Sequence, residues 1–403
     1  MMTRTLAGAL LASTVLLAPF AGAEAQQRPP EKKVGPYDPI GLRRGAFLIY
    51  PSADAGVAYD SNIYADDQDE EDIILTVAPA VRADSQWSRH ALSVGLDAEG
   101  AAYVDHDESS YLDASVFGEG RFDVRRGSYA FGNARVGRIH EDRASPDDAG
   151  QDEVTNLFSY DANLGYRYAF NRFYVQPNVR ATRLDFEDGD ENFRDRNRLG
   201  AGLRLGLALS PLTRVFTEVA YDIVRYDDTT RVNRDSDGLA ARVGAELELS
   251  ALFSGEVAVG YTRREYDSSA LDTAQGPSAE GALTYSLSEL TSFTGRVSAG
   301  VEETTVAFDG DLATADVRTE ISLEANHELR RNILLNGEVG YVHDDFDGTS
   351  RADDTFYAGA GAEYLLNRLF SLKGSYRYST RSSDSNAAEY DRHLLFVGVS
   401  AHL

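Results

Sequence analysis

The chain has 403 residues, no cysteine, 65 Asp plus Glu and 39 Lys plus Arg, for a formal net charge of -26. A field of that sign opposes phosphate backbones and excludes nucleic acid as the natural partner. The lack of cysteine excludes disulfide frameworks and thiolate metal sites. Past residue 23 there is no run of about 18 apolar residues, which excludes a bundle of membrane-spanning helices.

Arg4 precedes an apolar stretch from Leu6 to Phe20, followed by the small residues Ala21, Gly22, Ala23 and Ala25. Positive, then apolar, then small is the order of a secretory signal peptide. Residues 1–25 are therefore expected to be removed on export. Residues 26–46 open with the polar, Pro-bearing QQRPPEKKVG and are expected to form an N-terminal tail.

From residue 47 onward the dominant period is two. Leu199, Ala201, Leu203, Leu205, Leu207 and Leu209 share one face, and Arg198, Gly200, Gly202, Arg204, Gly206 and Ala208 share the other. Val317, Thr319, Ile321 and Leu323 alternate with Arg318, Glu320, Ser322 and Glu324. A helix would leave such residues without a clean stripe; a strand separates them onto two faces. The pattern predicts eighteen strands, at 47–59, 72–84, 90–104, 111–125, 128–140, 156–169, 173–186, 197–209, 214–226, 238–249, 253–266, 277–288, 292–306, 314–328, 332–343, 354–366, 369–380 and 390–403. Every even strand leads into a tight turn, such as Arg126-Gly127, Asn171-Arg172 or Pro211-Leu212. Every odd strand leads into a longer, acidic loop.

Four turns repeat the pattern L-[S/N]-x-L, at Leu209–Leu212, Leu249–Leu252, Leu287–Leu290 and Leu366–Leu369, with steps of 40, 38 and 79 residues. One unit is a hairpin. A propeller blade needs four strands in that length, a sandwich strand is shorter, and a solenoid repeats in smaller units. Strands of about 14 residues tilted at ~40° span ~35 Å, enough to cross a bilayer. An even count, short turns on one side and longer loops on the other predict an all-β fold. The expected architecture is a transmembrane antiparallel up-and-down β-barrel over residues 47–403. Both termini are then expected on the periplasmic side of the outer membrane of a Gram-negative cell.

Aromatics cluster where interfacial girdles would lie. Tyr59, Tyr103, Tyr226, Tyr261, Tyr266, Tyr341 and Tyr378 are near loop-side ends, and Phe131, Phe170, Phe173, Phe253, Phe293 and Phe370 are near the turns. The final strand alternates to the terminal Leu403. It resembles the C-terminal signal read by the outer-membrane insertion machinery, which makes that machinery an expected partner.

The inward faces are expected to carry Glu119, Arg121, Arg167, Arg204, Arg242, Glu246, Glu248, Arg296, Arg318, Glu320, Glu324 and Glu338, with Asp113 and Asp161. This mixed polar lining suits hydrated solutes, or else the charges pair across the lumen and fill it. Eighteen strands leave an aqueous channel unless something plugs it. No loop exceeds about 15 residues, so neither a deep constriction loop nor a plug is expected. The acidic runs at 60–72, 141–153 and 185–195 are expected to be solvated. Alternatively they bridge divalent cations to lipopolysaccharide phosphates. His106, His140 and His343 stand beside Asp105, Glu141 and Asp344, but such neighbours point to opposite faces of a strand. No nucleophile motif accompanies them, and neither catalysis nor a cofactor is expected.

The segment Tyr37-Asp38-Pro39-Ile40-Gly41-Leu42-Arg43-Arg44-Gly45-Ala46-Phe47, then Tyr50-Pro51-Ser52 and Gly56-Val57-Ala58-Tyr59-Asp60-Ser61-Asn62-Ile63-Tyr64, resembles the opening of the putative β-barrel porin 2 family of proteobacterial outer-membrane proteins. The L-[S/N]-x-L turns resemble it as well. The resemblance covers nearly the whole chain after residue 25. It implies a conduit, because members are linked to capsule or exopolysaccharide export clusters or are simply called porins. It implies a periplasmic polysaccharide export protein as a partner beside outer-membrane lipid and lipopolysaccharide, and it implies no catalytic residues. A passive porin and a structural or adhesive barrel are the competing expectations.

Overall fold

The computed structural model describes residues 35–403 apart from 150, 152 and 251. The expected signal peptide, the first part of the expected tail and Asp152 lie outside the described residues. Period-two alternation over long stretches, broken by Gly, Asn and Ser at the bends, builds eighteen strands of 12 to 16 residues. They are β1 (Phe47–Asp60), β2 (Asp72–Ser85), β3 (Ala91–Tyr103), β4 (Tyr111–Arg125), β5 (Ser128–His140), β6 (Asn156–Phe170), β7 (Phe173–Phe186), β8 (Arg196–Ser210), β9 (Thr213–Tyr226), β10 (Ser236–Ser250), β11 (Phe253–Tyr266), β12 (Ala274–Ser286), β13 (Thr291–Glu302), β14 (Ala315–Arg330), β15 (Ile333–Asp347), β16 (Ala352–Leu365), β17 (Phe370–Ser383) and β18 (Tyr390–His402). Each pairs antiparallel with its sequence neighbours. β18 returns to β1 from Ser52↔His402 to Asp60↔Leu394 and closes the barrel. Closure removes the free edges that an open sheet would present.

β1 starts before β18 can reach it. The short strand Leu42–Arg44 covers that stretch, pairing Leu42 with Ile49 and Arg44 with Phe47 around Gly45, whose φ is 57°. Arg368 at the β16–β17 turn donates to the Pro36 carbonyl at 2.9 Å. Residues 35–46, expected as a tail ahead of the barrel, therefore fold back against its short-turn end, where Leu403 also lies, donating its N–H to the Pro51 carbonyl at 3.2 Å.

The repeated turns have a local cause. In each, the Ser or Asn side chain accepts the N–H two residues on: Leu212 to Ser210 at 3.1 Å, Leu252 to Ser250 at 3.0 Å, Leu290 to Ser288 at 3.2 Å and Leu369 to Asn367 at 2.7 Å. The side chain imitates a backbone turn and fixes the bend. At the two-residue turns, Gly127 (φ 75°) and Asn171 (φ 54°) supply the left-handed backbone that a tight hairpin needs.

The two faces are unambiguous. Leu199, Leu203, Leu205 and Leu209 stand exposed on the outside, while Arg204 between them is buried. Arg167 on β6 reaches Glu246 on β10, and such chords are possible only on the concave side of a closed wall. Five inward aromatic rings lie over a glycine directly opposite on the next strand: Phe117 over Gly95, Phe131 over Gly165, Tyr174 over Gly206, Phe216 over Gly244 and Tyr357 over Gly340. A Cβ on Gly206 would come within 2.0 Å of the Tyr174 ring. The bare backbone leaves a dent, and the ring fills it from the neighbouring strand.

Two expectations need correction. Tyr59, Tyr261 and Tyr341 face outward as girdle residues, but Tyr226 and Phe131 point inward and are buried, and Tyr103 and Tyr266 share the inward face of their strands. Clustering near strand ends does not report the face. The alternation after β13 continues to residue 306, yet the strand ends at Glu302, because Glu303 is captured inside the barrel by Arg264 at 3.2 Å and by the Tyr226 and Ser236 hydroxyls. Beside it the wall overlaps itself. β12 and β13 pair only from Ala279↔Ala299 to Ser286↔Ser292. Beyond that point Val301 and Val317, on the outer side of β13 and β14, pack with Ala274, Ala315 and Tyr266.

Leu203 lies at the middle of β8 and faces outward. Leu203→Arg should cost ~2–4 kcal/mol in a lipid environment. Gly202→Arg, whose nearest obstacle is the movable Asn178 amide, should cost much less. Urea-unfolding midpoints in bilayers measure the difference, and equal midpoints would invert the two faces.

Candidate functional site: the lumen and its bridged mouth

All twelve lining residues expected from the sequence sit on inward faces. The structure gives each a partner along the wall. Glu119 meets Arg82 at 2.9 Å, and Arg121 meets Asp123 at 2.9 Å. Arg204 meets Glu218 and Glu256, both at 2.8 Å, and Arg242 meets Glu218 at 2.8 Å and Glu280 at 2.9 Å. Glu246 gathers Arg167 at 3.1 Å, Arg214 at 3.2 Å and the Tyr174 hydroxyl at 2.5 Å, while Glu248 meets Arg214 at 3.4 Å. Arg296 meets Glu324 at 2.8 Å, Arg318 meets Asp344 at 2.9 Å, Arg377 meets Glu338 at 2.8 Å and the Tyr357 hydroxyl donates to Glu320 at 3.1 Å. Asp113 bonds His140 and Asp161 bonds Thr182.

The two sides of this lining differ. Along β6–β11 the charges form one compact network, with Arg204 and Arg242 only 5% and 3% exposed. Along β2–β5 and at β13–β14 the pairs are open, with Arg82 at 41%, Arg135 at 51% and Arg296 at 47%. One wall is filled with its own side chains, and water reaches the other. Complementary pairing leaves little unbalanced field inside.

The long-loop mouth is bridged, contrary to the expectation from loop length. The 141–155 loop after β5 folds inward. Arg194 holds its base through Glu141 at 2.7 Å, and Val154 packs on the cluster of Ala58, Ile74, Ala101, Tyr111, Leu394 and Phe396. Arg381 on β17 donates to the Ala144 carbonyl at 3.0 Å. The 303–314 loop after β13 folds in from the far side, where Val306 and Ala313 bury with Phe346. The two loops meet at Asp147. Its Oδ1 accepts from the Thr304 hydroxyl at 3.0 Å, the Thr305 hydroxyl at 2.8 Å and the Thr305 N–H at 2.6 Å. Loop length was the wrong criterion, since two moderate loops from opposite sides span what one cannot.

Acids expected to be solvated are therefore structural. Asp60 is buried under Arg392, and Asp72 caps the N–H groups of Asp105 and His106. Burial acts to raise the Asp147 carboxyl, but Arg194 and the bonds from Thr305 outweigh it and hold it below the ordinary aspartate range. Burial pushes Asp148 up to about 7, against the Thr155 hydroxyl bond and Arg143 and reinforced by Glu141. Among the described residues no three acidic or His side chains converge so as to hold a metal ion.

His–Asp pairs do form, though not with sequence neighbours. His106, in the loop after β3, meets Asp72 at 3.1 Å, while His140 meets Asp113 at 2.9 Å and His343 meets Asp354 at 2.7 Å across strands. Only the register brings these partners together, and no local motif marks it. Their arrangement is scattered around the rim and assembles no common site.

A closed eighteen-strand barrel with an apolar exterior and a charged interior is an outer-membrane β-barrel of the porin and transporter kind. The chain belongs to the Putative beta-barrel porin 2 family, whose model matches residues 35–403. No curated protein matches it. Solved structures similar in fold include OpdL of Pseudomonas aeruginosa, at 14% identity and a TM-score of 0.46 over 89% of this chain and 100% of that one. The copper transporter OprC gives 10% and 0.48 over 90% and 82%. The FrpB iron transporter from Neisseria meningitidis gives 8% and 0.47 over 86% and 65%.

Asp148 gives the mouth a pH dependence. Between the ordinary value of 3.8 and about 7, the docked loop holds a proton that the undocked loop releases. Docking therefore weakens as pH rises through that window and is level above it. Asp148→Asn should raise hydrogen-exchange protection of residues 141–149 at pH 8 and leave it unchanged at pH 4. An equal gain at both pH values would rule out the buried carboxyl as the cause.

Proposed function

We propose that the barrel is an outer-membrane conduit for hydrophilic solutes whose cargo is a secreted exopolysaccharide or capsule chain, moving from the short-turn end to the long-loop end. The short-turn end, with both termini, faces the periplasm in this reading. The observation that carries it is the lining itself: carboxylates, guanidinium groups and hydroxyls paired to one another along a water-exposed wall. Such a surface offers hydrogen bonds to a polyhydroxylated chain without a strong field to trap it. A mouth bridged on the loop side restricts free diffusion of small solutes in either direction. The residues 35–46 folded against the turns offer a periplasmic export protein a place to dock, and lipopolysaccharide would surround the loop side. The family supplies the link to polysaccharide by analogy. Deleting the gene should abolish surface polysaccharide and leave small-solute uptake unchanged. Normal polysaccharide with reduced uptake of a nutrient would establish the passive porin instead.

The paired lining predicts only a weak ion preference, biased toward cations by the acidic loops and fading as salt shortens the range of their field. Reversal potentials in a salt gradient measure it. A clear anion preference at low salt would assign the field to the inward arginines.

A further inference from the structure

We propose that the 141–155 and 303–314 loops are a gate across the barrel mouth, latched by Asp147 on Thr304 and Thr305, and that cargo passes only when this latch is released. The inference rests on the conduit reading. The loops follow β5 and β13, which are eight strands apart one way round the ring and ten the other, so their contact spans the mouth close to a diameter.

The first loop has a firm base and a tip at Asp147, and the second presents its latch residues Thr304 and Thr305 from its own anchored base. The base of the first is held by Arg194 on Glu141, by Arg143 on the Gln151 carbonyl at 2.9 Å and by Val154 in an apolar cluster. The base of the second is held by Glu303 between Arg264, Tyr226 and Ser236, by Arg234 on the Thr314 carbonyl at 3.5 Å and by Val306 and Ala313 against Phe346. The link between the first loop's tip and the second loop's base is one carboxylate and three donors. A permanent stopper would bury apolar surface between the loops, whose loss on opening is costly. Here the link is polar. Once parted, Asp147 and both threonines are solvated by water, so net separation is cheap compared with the strength of the bonds themselves. The anchored bases return Asp147 to register with Thr304 and Thr305.

The absence of cysteine from the chain makes the test clean. Asp147→Cys with Thr305→Cys introduces the only thiols. These are oxidised to a disulfide, or joined by a short bis-thiol reagent where the sulfurs stand too far apart. Conductance in planar bilayers is compared for the wild type, Asp147→Ala, the locked and unlocked double variant, and a variant with residues 304–313 replaced by a Gly-Ser turn. The locked form should conduct several-fold less than the wild type and recover when a disulfide lock is reduced. Asp147→Ala and the loop replacement should each conduct several-fold more. Conductance equal in the wild type, locked, unlocked and loop-replaced proteins overturns the gate while leaving the conduit standing. Absence of conductance in every variant, including the loop replacement, overturns the conduit reading and the gate with it.

Discussion

Everything in this barrel depends on one constraint: inside hydrocarbon, a backbone N–H or C=O has no water to bond, so each must find a partner in the protein. A sheet satisfies this only by closing on itself. Closure through the β1–β18 pairing fixes which side chains share a row, and the inward rows become the lumen. The short strand at Leu42–Arg44 obeys the same rule, because it covers the part of β1 that β18 does not reach. The site is thus a consequence of register rather than of any local motif.

Inside that wall the charges are arranged by economy of field. Arg204, lodged between Glu218 and Glu256, is neutralised where it stands. Leaving one member of such a buried pair alone would be strongly destabilising. The glycine–aromatic pairs serve the same end by geometry. Tyr174 and Phe216 keep their rings low against the wall instead of projecting across the passage. Filling is concentrated along β6–β11, which leaves water the opposite side. Access is then decided at the loop-side mouth, where Asp147 joins the two loops.

Much of this was legible in the residues. The period of two carries the strand number, and the exposed Leu203 and Leu205 on either side of the buried Arg204 show the two faces it separates. Ser210, Ser250, Ser288 and Asn367 marked turns, and the structure shows each accepting the same N–H. What could not be read depends on distance across the ring. Thr304 and Thr305 continue the alternation of β13 in the sequence, but the capture of Glu303 by Arg264, Tyr226 and Ser236 turns the chain inward there. Asp147 looks like any loop acid until the opposite loop arrives. His140 stands beside Glu141 in the chain, but its partner is Asp113, 27 positions away. Tyr226 and Tyr59 share a place near strand ends and differ in parity, which alone decides that Tyr226 is buried and Tyr59 exposed.

The overlap between β12 and β13 bears on how wide the barrel can become. A hydrogen-bonded wall has a fixed perimeter, because each added ångström breaks a rung. Above Ala279 and Ala299 those two strands share no rungs, and Val301 and Val317 pack with Ala274 and Tyr266 while Glu303 is held by Arg264, Tyr226 and Ser236. Apolar contact is non-directional and would let one layer slide over the other, but the buried Glu303–Arg264 pair pins the overlap at one point. The rim at this point works like a riveted lap joint: its girth is set by one buried ion pair at the loop side and by the continuous ladder below.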